Sequence, residues 1–342
     1  MQSTNDYSKA QQSAQAYDKA LALGGKLENP STAADAYFSY GYHLQQTGDY
    51  NTALTYANKA IGLEPKSYEY YILLGEIQAS LNNYSAAIAT DKQAESLDDH
   101  KNAIVSSRIV ADLAEAELAQ GDKTDGMADI AKAKQIDPQA AFAYIYEYQY
   151  DRNVGNAPAA LIPLGQLAQL QPTDAEWDLD MGNIYLSQNN VASAQQEFQK
   201  AQTIDPNNPN VQAGFAALAA MKGDTATVDT LMQKITTGAD PKTAAQIEAN
   251  IAIDLINSAQ TAKGNNIQEA QKYADQATKA DPTNGEAWFA LGIAQAQGHD
   301  TDDAKTSLKK AYDIFKAAGA QDSMKQVADQ YKSITGSDIT SY

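Results

Sequence analysis

Histidine is the side chain best suited to acid–base chemistry or metal binding near neutral pH. The three histidines, His43, His100 and His299, lie far apart, and no His-x-x-x-His, H-E-x-x-H or His/Cys cluster is present. The chain has no cysteine, which excludes thiol catalysis, disulfides and cysteine-ligated metals. It also lacks a P-loop, a G-x-G-x-x-G loop and a G-x-S-x-G nucleophile motif. We therefore expect a protein that is not an enzyme, with no catalytic residue, cofactor or metal site.

Aspartate is abundant, but its positions indicate turns rather than catalysis. Three Gly-Asp pairs, at residues 48–49, 121–122 and 223–224, suit turn formation and capping of the helix that follows. The segment 281–286, Asp-Pro-Thr-Asn-Gly-Glu, superficially suggests a calcium loop. Because it lacks the alternating ligand spacing of such loops, we interpret it as a turn.

Charge and hydropathy limit the classes of partner. The 342 residues include 25 Lys and Arg against 43 Asp and Glu, which gives a formal net charge of −18. Nucleic-acid binding needs clustered basic side chains, so we expect no nucleic-acid partner. No run of 18 apolar residues occurs, so we expect no direct membrane insertion by this segment.

The composition also bears on cellular location. Arginine occurs only at positions 108 and 152, Asp outnumbers Glu by 30 to 13, and Tyr outnumbers Phe by 20 to 6. This composition favours an exported bacterial or archaeal protein (periplasmic, secreted or at the cell surface) over an acidic cytoplasmic one, and both locations stay open. The first six residues carry no basic region followed by an apolar stretch, so export would require a targeting segment ahead of residue 1.

Prolines at a regular interval indicate where the helices of this chain end. Pro138, Pro172 and Pro206 are 34 residues apart, and proline cannot continue a helix. Between such prolines two helical patterns occur on either side of a turn. In the clearest stretch, residues 37–44 carry Tyr, Tyr, Gly and Leu at helical spacing, and residues 50–60 carry Tyr and three alanines. Repetition at this period predicts stacked helix pairs.

This pattern resembles the tetratricopeptide repeat over nearly the whole chain. The clearest match has an aromatic at repeat position 4, Gly at 8, Ala at 20 and Pro at 32, which here are Tyr37, Gly41, Ala53 and Pro65. The resemblance implies an all-α, right-handed superhelical α-solenoid of about eight helix-turn-helix repeats of 34 residues with capping helices. The N-terminal cap is expected at 1–33, the solenoid at 34–318, and the C-terminal capping helix and tail at 319–342. The expected units are 34–65, 68–99, 107–138, 141–172, 175–206, 209–240, 242–282 and 285–318.

The resemblance also implies a binding surface. In proteins of this fold the first helix of each pair lines a concave face, and repeat positions 2, 5, 9 and 12 point into its groove. Carried over residue by residue, these positions place apolar side chains beside carboxylates, which favours a basic or amphipathic partner segment. The alternative is that Phe38, Tyr42 and Phe142 pack against the next repeat. The expected groove residues are Asp35, Phe38, Tyr42, Glu69, Ile72, Glu76, Glu115, Phe142, Ile145, Glu176, Leu179 and Phe289.

Four tyrosines that alternate along one segment form a second candidate surface: Tyr144, Tyr146, Tyr148 and Tyr150. On a helix they fall on two faces, so we expect at least one pair to face solvent or a partner. Tyrosine is common at interfaces because it combines a rigid apolar body with a polar tip. The alternative is ordinary packing between repeats.

Two functions are open at this point. The first is a non-enzymatic scaffold that binds a peptide or protein segment in its groove, and exported members of the family suggest a role in envelope or pilus-type assembly. The second is a structural solenoid that associates with itself into oligomers or filaments, because solenoids expose repeating faces.

Overall fold

The computed structural model describes residues 4–259 and 266–339. Within these ranges the chain forms eighteen α-helices and no strand. The helices are α1 (Thr4–Ala22), α2 (Pro30–Gln46), α3 (Tyr50–Leu63), α4 (Tyr68–Ser80), α5 (Tyr84–Leu97), α6 (Ala103–Gln120), α7 (Lys123–Ile136), α8 (Ala141–Asn153), α9 (Ala157–Leu170), α10 (Ala175–Ser187), α11 (Val191–Ile204), α12 (Pro209–Met221), α13 (Thr225–Gly238), α14 (Pro241–Ala259), α15 (Asn266–Ala280), α16 (Gly285–Gln297), α17 (Thr301–Ala317) and α18 (Gln321–Thr335).

Aspartate side chains fix the starts of the second helices. Oδ1 of Asp49, Asp122 and Asp224 accepts a hydrogen bond from the backbone N–H three residues later, at 3.3, 3.1 and 3.1 Å. These bonds satisfy backbone donors that have no partner within the helix. The predicted capping role of the Gly-Asp pairs is confirmed. At 281–286, Oδ1 of Asp281 accepts from the Thr283 N–H at 2.9 Å, so this segment forms a turn as predicted.

The turns between paired helices use left-handed backbone at a fixed interval. φ is +73° at Gly155, +58° at Asn189 and +70° at Gly223, three positions that are 34 residues apart. Glycine and asparagine adopt this conformation at lower cost than other residues. His100 and His299 also lie in turns, with φ of +56° and +70°.

The chain up to Leu170 forms one compact unit. Helices α2, α4, α6 and α8 contact one another in that order, and α3, α5, α7 and α9 each pack against the helix before them. Helix α1 covers the start of this stack, where the Asp18 carboxylate accepts hydrogen bonds from the Tyr37 and Tyr56 hydroxyls at 3.0 and 3.1 Å. Lys59 Nζ lies 2.6 Å from the same carboxylate.

The chain from Gln171 onwards forms a second compact unit with the same arrangement. Its pairs are α10–α11, α12–α13, α14–α15 and α16–α17, and α18 packs on α17. Phe198 shows why small residues recur in the first helices. Its ring occupies the space that a Cβ at Gly182 would fill, so alanine there would collide with the ring.

These two stacks confirm the all-α solenoid predicted from the 34-residue period. The assignment of residue ranges to individual repeats and caps remains a prediction. Residues 1–3 and 340–342 of the expected caps and residues 260–265 of the expected unit 242–282 lie outside the described residues. Across 4–259 and 266–339, no helix is both long enough and apolar enough to cross a membrane.

Candidate functional site

A concave depression of about 630 Å³ lies in the first unit, where the first helices of successive pairs meet. Each of these helices contributes polar side chains to its wall, because the pairs stack with the same helix on the same side. The side chains that matter for binding are Gln45 on α2, Glu76 on α4, Arg108 and Glu115 on α6, and Tyr146 and Gln149 on α8. The structure thus brings Glu76 and Glu115, two of the predicted groove residues, into one wall.

Arg108 is the cation of this wall. Its guanidinium pairs with the Glu76 carboxylate, and its Nε lies 3.4 Å from Oδ2 of Asp112, without the geometry of a hydrogen bond. The guanidinium carbon also lies 4.4 Å from the centre of the Phe142 ring, a cation–π contact. Gln45 Nε2 donates to the other Glu76 oxygen at 2.9 Å. Side chains from four helices therefore form one connected network.

Asp112 lies behind this wall and is almost completely buried, with 5% of its surface exposed. The Tyr146 hydroxyl donates to its Oδ1 at 2.9 Å. Burial raises the pKa of Asp112 to about 7, and the Glu76 charge adds to the increase while Arg108 and Tyr146 oppose it. Burial also raises the pKa of Glu115. The depression thus contains carboxyl groups that are harder to ionise than those at a free surface.

A further buried acid, Asp91 on α5, lies against the backbone of Gly75 on α4. A Cβ at residue 75 would overlap the Asp91 carboxylate. Burial raises the pKa of Asp91 to about 8, with a further contribution from the carboxylates of Asp112 and Glu76. Neither aspartate is among the site residues that the sequence predicts. One signal was present, because Asp91 occupies repeat position 24 of unit 68–99, where the family pattern has an aromatic residue.

The predicted groove residues nearest the N-terminus are only partly available to a partner. Phe38 is half-buried, and its ring centre lies 5.3 Å from that of Tyr70, so it packs against the next repeat. Tyr42 keeps 41% of its surface exposed. Asp35 is exposed, and its carboxylate accepts from the Tyr70 hydroxyl at 2.7 Å. Phe38 therefore follows the alternative of packing against the next repeat, whereas Tyr42 keeps the exposed surface that a groove residue needs.

The remaining predicted groove residues of the first unit differ in exposure. Glu69 is exposed and accepts from Ser67 Oγ at 2.6 Å. Ile72, Phe142 and Ile145 are half-buried. Of these three, Phe142 is linked to the depression, through its contact with Arg108.

In the second unit the groove expectation fails for two residues. Leu179 is 3% exposed and lies in a core with Val211 and Leu218 of α12, which covers it. Phe289 is 9% exposed and packs with Val327 of α18, the last helix. Both side chains therefore belong to the packing between helices rather than to an open groove. Glu176 is exposed, and Asn208 Nδ2 lies 3.3 Å from its Oε1.

The four alternating tyrosines do not form an exposed patch. Tyr148 is 5% exposed, and the other three are half-buried. The Tyr144 hydroxyl donates to the Pro138 carbonyl at 3.2 Å, and Tyr146 contacts Asp112. The Tyr150 ring lies 5.9 Å from Lys123 Nζ. Tyr146 and Tyr150, one of the two pairs, line the depression. That this pair contacts a partner stays a prediction.

Among residues 4–259 and 266–339, no group of three or more His, Asp or Glu side chains is placed to hold a metal ion. The chemistry that the depression offers is hydrogen bonding and ion pairing, with a carboxylate-rich wall and one arginine.

Several solved structures resemble this chain at low sequence identity. PilF of Pseudomonas aeruginosa is 16% identical, with a TM-score of 0.49 over 61% of this chain and 92% of that one. Yeast Tom70 is 17% identical, with a TM-score of 0.48 over 96% of this chain and 58% of that one. Human IFIT1, a dimer with m7Gppp-AAAA, is 16% identical, with a TM-score of 0.43 over 87% and 75%. No curated protein matches the sequence.

Family profiles match three parts of the sequence. A tetratricopeptide-repeat profile matches residues 41–101 and 262–322, and a second profile of the same description matches residues 179–208. These matches fall in both compact units, and the described helices within them form the stacked pairs that the 34-residue period predicts. The chain is a tetratricopeptide-repeat protein.

Proposed function

We propose that the depression of the first unit binds a protein segment that carries basic side chains. Tetratricopeptide-repeat proteins generally mediate protein–protein interactions and bind protein or peptide partners. The observation that carries the proposal is the wall itself. Glu76 and Glu115 face a depression of about 630 Å³ in which Arg108 is the single basic side chain.

Charge favours a basic partner over an acidic one. Two carboxylates in the wall, Glu76 and Glu115, outnumber the single guanidinium of Arg108. A lysine or arginine of a partner gains attraction from both of them, whereas an acidic partner would need Arg108 to leave Glu76. Complementary charge of this kind speeds association and selects the partner.

The number of helices indicates the length of the bound segment. The wall draws on α2, α4, α6 and α8, which are three inter-helix steps. At roughly 9 Å between packed helices and about 3.3 Å per extended residue, the wall spans about eight residues. An amphipathic segment would place an apolar side chain on Tyr150, which lines the depression, and basic side chains on the carboxylates.

Fluorescence anisotropy with fluorescein-labelled eight-residue peptides tests this proposal. A set of Lys- and Arg-containing peptides is compared with acidic and uncharged peptides of matched hydropathy, at low and at physiological salt. We expect the basic set to bind, and binding to weaken as salt rises. The variant Glu76→Gln/Glu115→Gln should lower affinity at least tenfold. The control Glu28→Gln, an exposed glutamate between α1 and α2, should bind as the wild type does.

Two results would contradict the proposal. One is tighter binding of the acidic set, and the other is unchanged affinity in the double variant. Sedimentation equilibrium of the same samples tests the second candidate function, self-association, as a mass that increases with protein concentration. The proposal also includes a role in envelope or pilus-type assembly. Fractionation of the source cells tests this role.

A further inference from the structure

A second cavity, of about 430 Å³, lies within the second unit among helices α13, α14 and α15. Asp229 and Thr236 of α13 line it, together with Glu248 of α14 and Lys272 and Tyr273 of α15. Side-chain amides of Gln233 and Gln276 complete the polar part of its wall, and Met232 adds an apolar part. The proposed groove of the first unit does not involve any of these residues.

Glu248 is the unusual group in this cavity. It is 5% exposed although it lines the cavity, so its carboxyl group has little contact with water. Burial raises its pKa to about 7 and is the sole cause of the shift, since no ion pair or hydrogen bond offsets it. A carboxylate buried without a partner is unfavourable, and such groups usually have a counter-ion or serve a function.

The ammonium and the phenol of the cavity wall are directed to other acids. Lys272 Nζ lies 2.6 Å from Asp229 Oδ1 and 2.8 Å from Glu269 Oε2. The Tyr273 hydroxyl also donates to Asp229 Oδ1. Lys272 and Tyr273 on the facing helix therefore pair with Asp229 and Glu269. Neither of them donates a hydrogen bond to the Glu248 carboxylate.

We propose that this cavity binds a primary ammonium group, with Glu248 as its counter-ion. An ammonium group has three hydrogen-bond donors. The Glu248 carboxylate and the side-chain oxygens of Gln233 and Thr236 offer acceptors in the same wall. The Thr236 hydroxyl donates to the Met232 carbonyl at 3.0 Å, which leaves its oxygen free to accept.

The shape and lining of the cavity favour an ammonium over other cations. Met232 and the Tyr273 ring form the apolar part of the cavity wall. A metal ion would require a cluster of ligands, and none is found among the described residues. The same chemistry occurs in a lysine side chain and in a free alkylamine, so the test includes both.

Chemical-shift titration of the full-length protein is the direct test. The probes are n-butylammonium and Nα-acetyl-lysinamide, with Nα-acetyl-norleucinamide as the uncharged analogue. At pH 8 we expect saturable shifts of amides in α13–α15 with both charged probes and none with norleucinamide. Similar affinity for the two charged probes identifies the ammonium group alone as the ligand. At least tenfold tighter binding of acetyl-lysinamide identifies a lysine side chain.

Glu248→Gln should weaken binding of both charged probes at least tenfold. Glutamine is close in size to the protonated acid, so the helix pair should still form. Asp254→Asn is the matched control, because Asp254 lies on the same helix outside the cavity and burial alone raises its pKa to about 6. This control should bind both charged probes as the wild type does.

The pH profile of the wild type is an independent measurement that needs no variant. The groups that face Glu248 across the cavity are Asp229, Lys272 and Tyr273. Because the ammonium pairs with the ionised carboxylate, affinity should increase between pH 5.5 and 8 and then level off. The proposal is overturned by the absence of saturable binding to the wild type, by equal binding to Glu248→Gln, by equal binding of norleucinamide, or by affinity that does not change with pH.

Discussion

The Tyr146 hydroxyl donates a 2.9 Å hydrogen bond to Oδ1 of Asp112, a residue that lies 34 positions earlier in the sequence. The Asp112 side chain is almost completely buried. The bond links equivalent helices of neighbouring repeats, α8 and α6. It also supports the wall of the depression from behind, because Asp112 lies 3.4 Å from the Arg108 Nε that faces it. The candidate binding surface and the packing between repeats thus share one polar network.

Removal of this hydroxyl should destabilise the first unit. Tyr146→Phe leaves the buried Asp112 carboxyl without its donor, a loss of about 1–3 kcal/mol. Urea unfolding followed by circular dichroism measures the change. Tyr150→Phe on the same helix is the control and should alter the free energy of unfolding by less than about 0.5 kcal/mol. Equal stability of Tyr146→Phe and the wild type would show that the bond contributes nothing.

The buried aspartates predict how stability depends on pH. The pKa of Asp91 rises from 3.8 to about 8 on folding, and that of Asp112 rises from 3.8 to about 7. Between these values the folded chain binds more protons than the unfolded chain, so the free energy of unfolding should fall as pH rises from about 4 to 8. Above pH 8 this contribution should level off.

Asp91→Asn tests the assignment of this effect. The variant should show a flatter pH dependence than the wild type and should be more stable at pH 8.5, by on the order of 1–3 kcal/mol. Urea midpoints at pH 5.5, 7 and 8.5 give both quantities. Glu28→Gln, whose side chain is exposed, should keep the wild-type slope. A wild-type slope in Asp91→Asn would assign the pH dependence to other groups.

The contact between Asp91 and Gly75 predicts a non-additive pair of substitutions. Gly75→Ala should destabilise the unit by about 1–3 kcal/mol, because the new Cβ overlaps the Asp91 carboxylate. Asp91→Ala should relieve most of this loss in the double variant. Gly62→Ala on α3 is the control, since its Cβ would meet open space, and it should stabilise by roughly 0.5–1 kcal/mol. Additive effects of Gly75→Ala and Asp91→Ala in thermal or urea unfolding would rule out the steric explanation.

The sequence predicts the elements of this fold better than their contacts. The 34-residue period and the Gly-Asp pairs depend on local preferences of proline, glycine and aspartate, which act within a few residues. The burial of Leu179 and Phe289 depends instead on helices α12 and α18, which cover these two side chains. The same repeat position is half-buried at Ile72 and Ile145, where a smaller part of the side chain is covered.

The acidic network could not be predicted from composition or period. An aspartate in a helix normally indicates a solvent-facing position, because burial of an isolated carboxylate is costly. Burial of Asp112 is tolerated because two side chains approach its carboxyl group. Tyr146 comes from the next repeat, and Arg108 lies one helical turn earlier on the same helix. Such a contact depends on how neighbouring pairs pack, and the sequence pattern does not specify that packing.

Arg108 gives the sharpest test of the proposed partner. Arg108→Met keeps an unbranched apolar side chain next to Phe142 but removes the charge that neutralises Glu76. The unit should lose stability, because Asp112 and Glu76 lose their cation. Affinity for basic peptides should nevertheless increase about tenfold, a gain of about 1.4 kcal/mol, because the Glu76 carboxylate becomes available to the peptide. Anisotropy titration with the fluorescein-labelled peptides measures this change.

Arg152→Met is the matched control, because Arg152 is the other arginine of the chain and is exposed at the end of α8. It should leave basic-peptide affinity within about twofold of the wild type, since surface charges away from a contact contribute little. The opposite pattern, in which Arg108→Met abolishes binding and an acidic peptide binds the wild type, would make Arg108 the recognition group. The wall would then select a carboxylate, and the two glutamates would position the arginine rather than contact the partner.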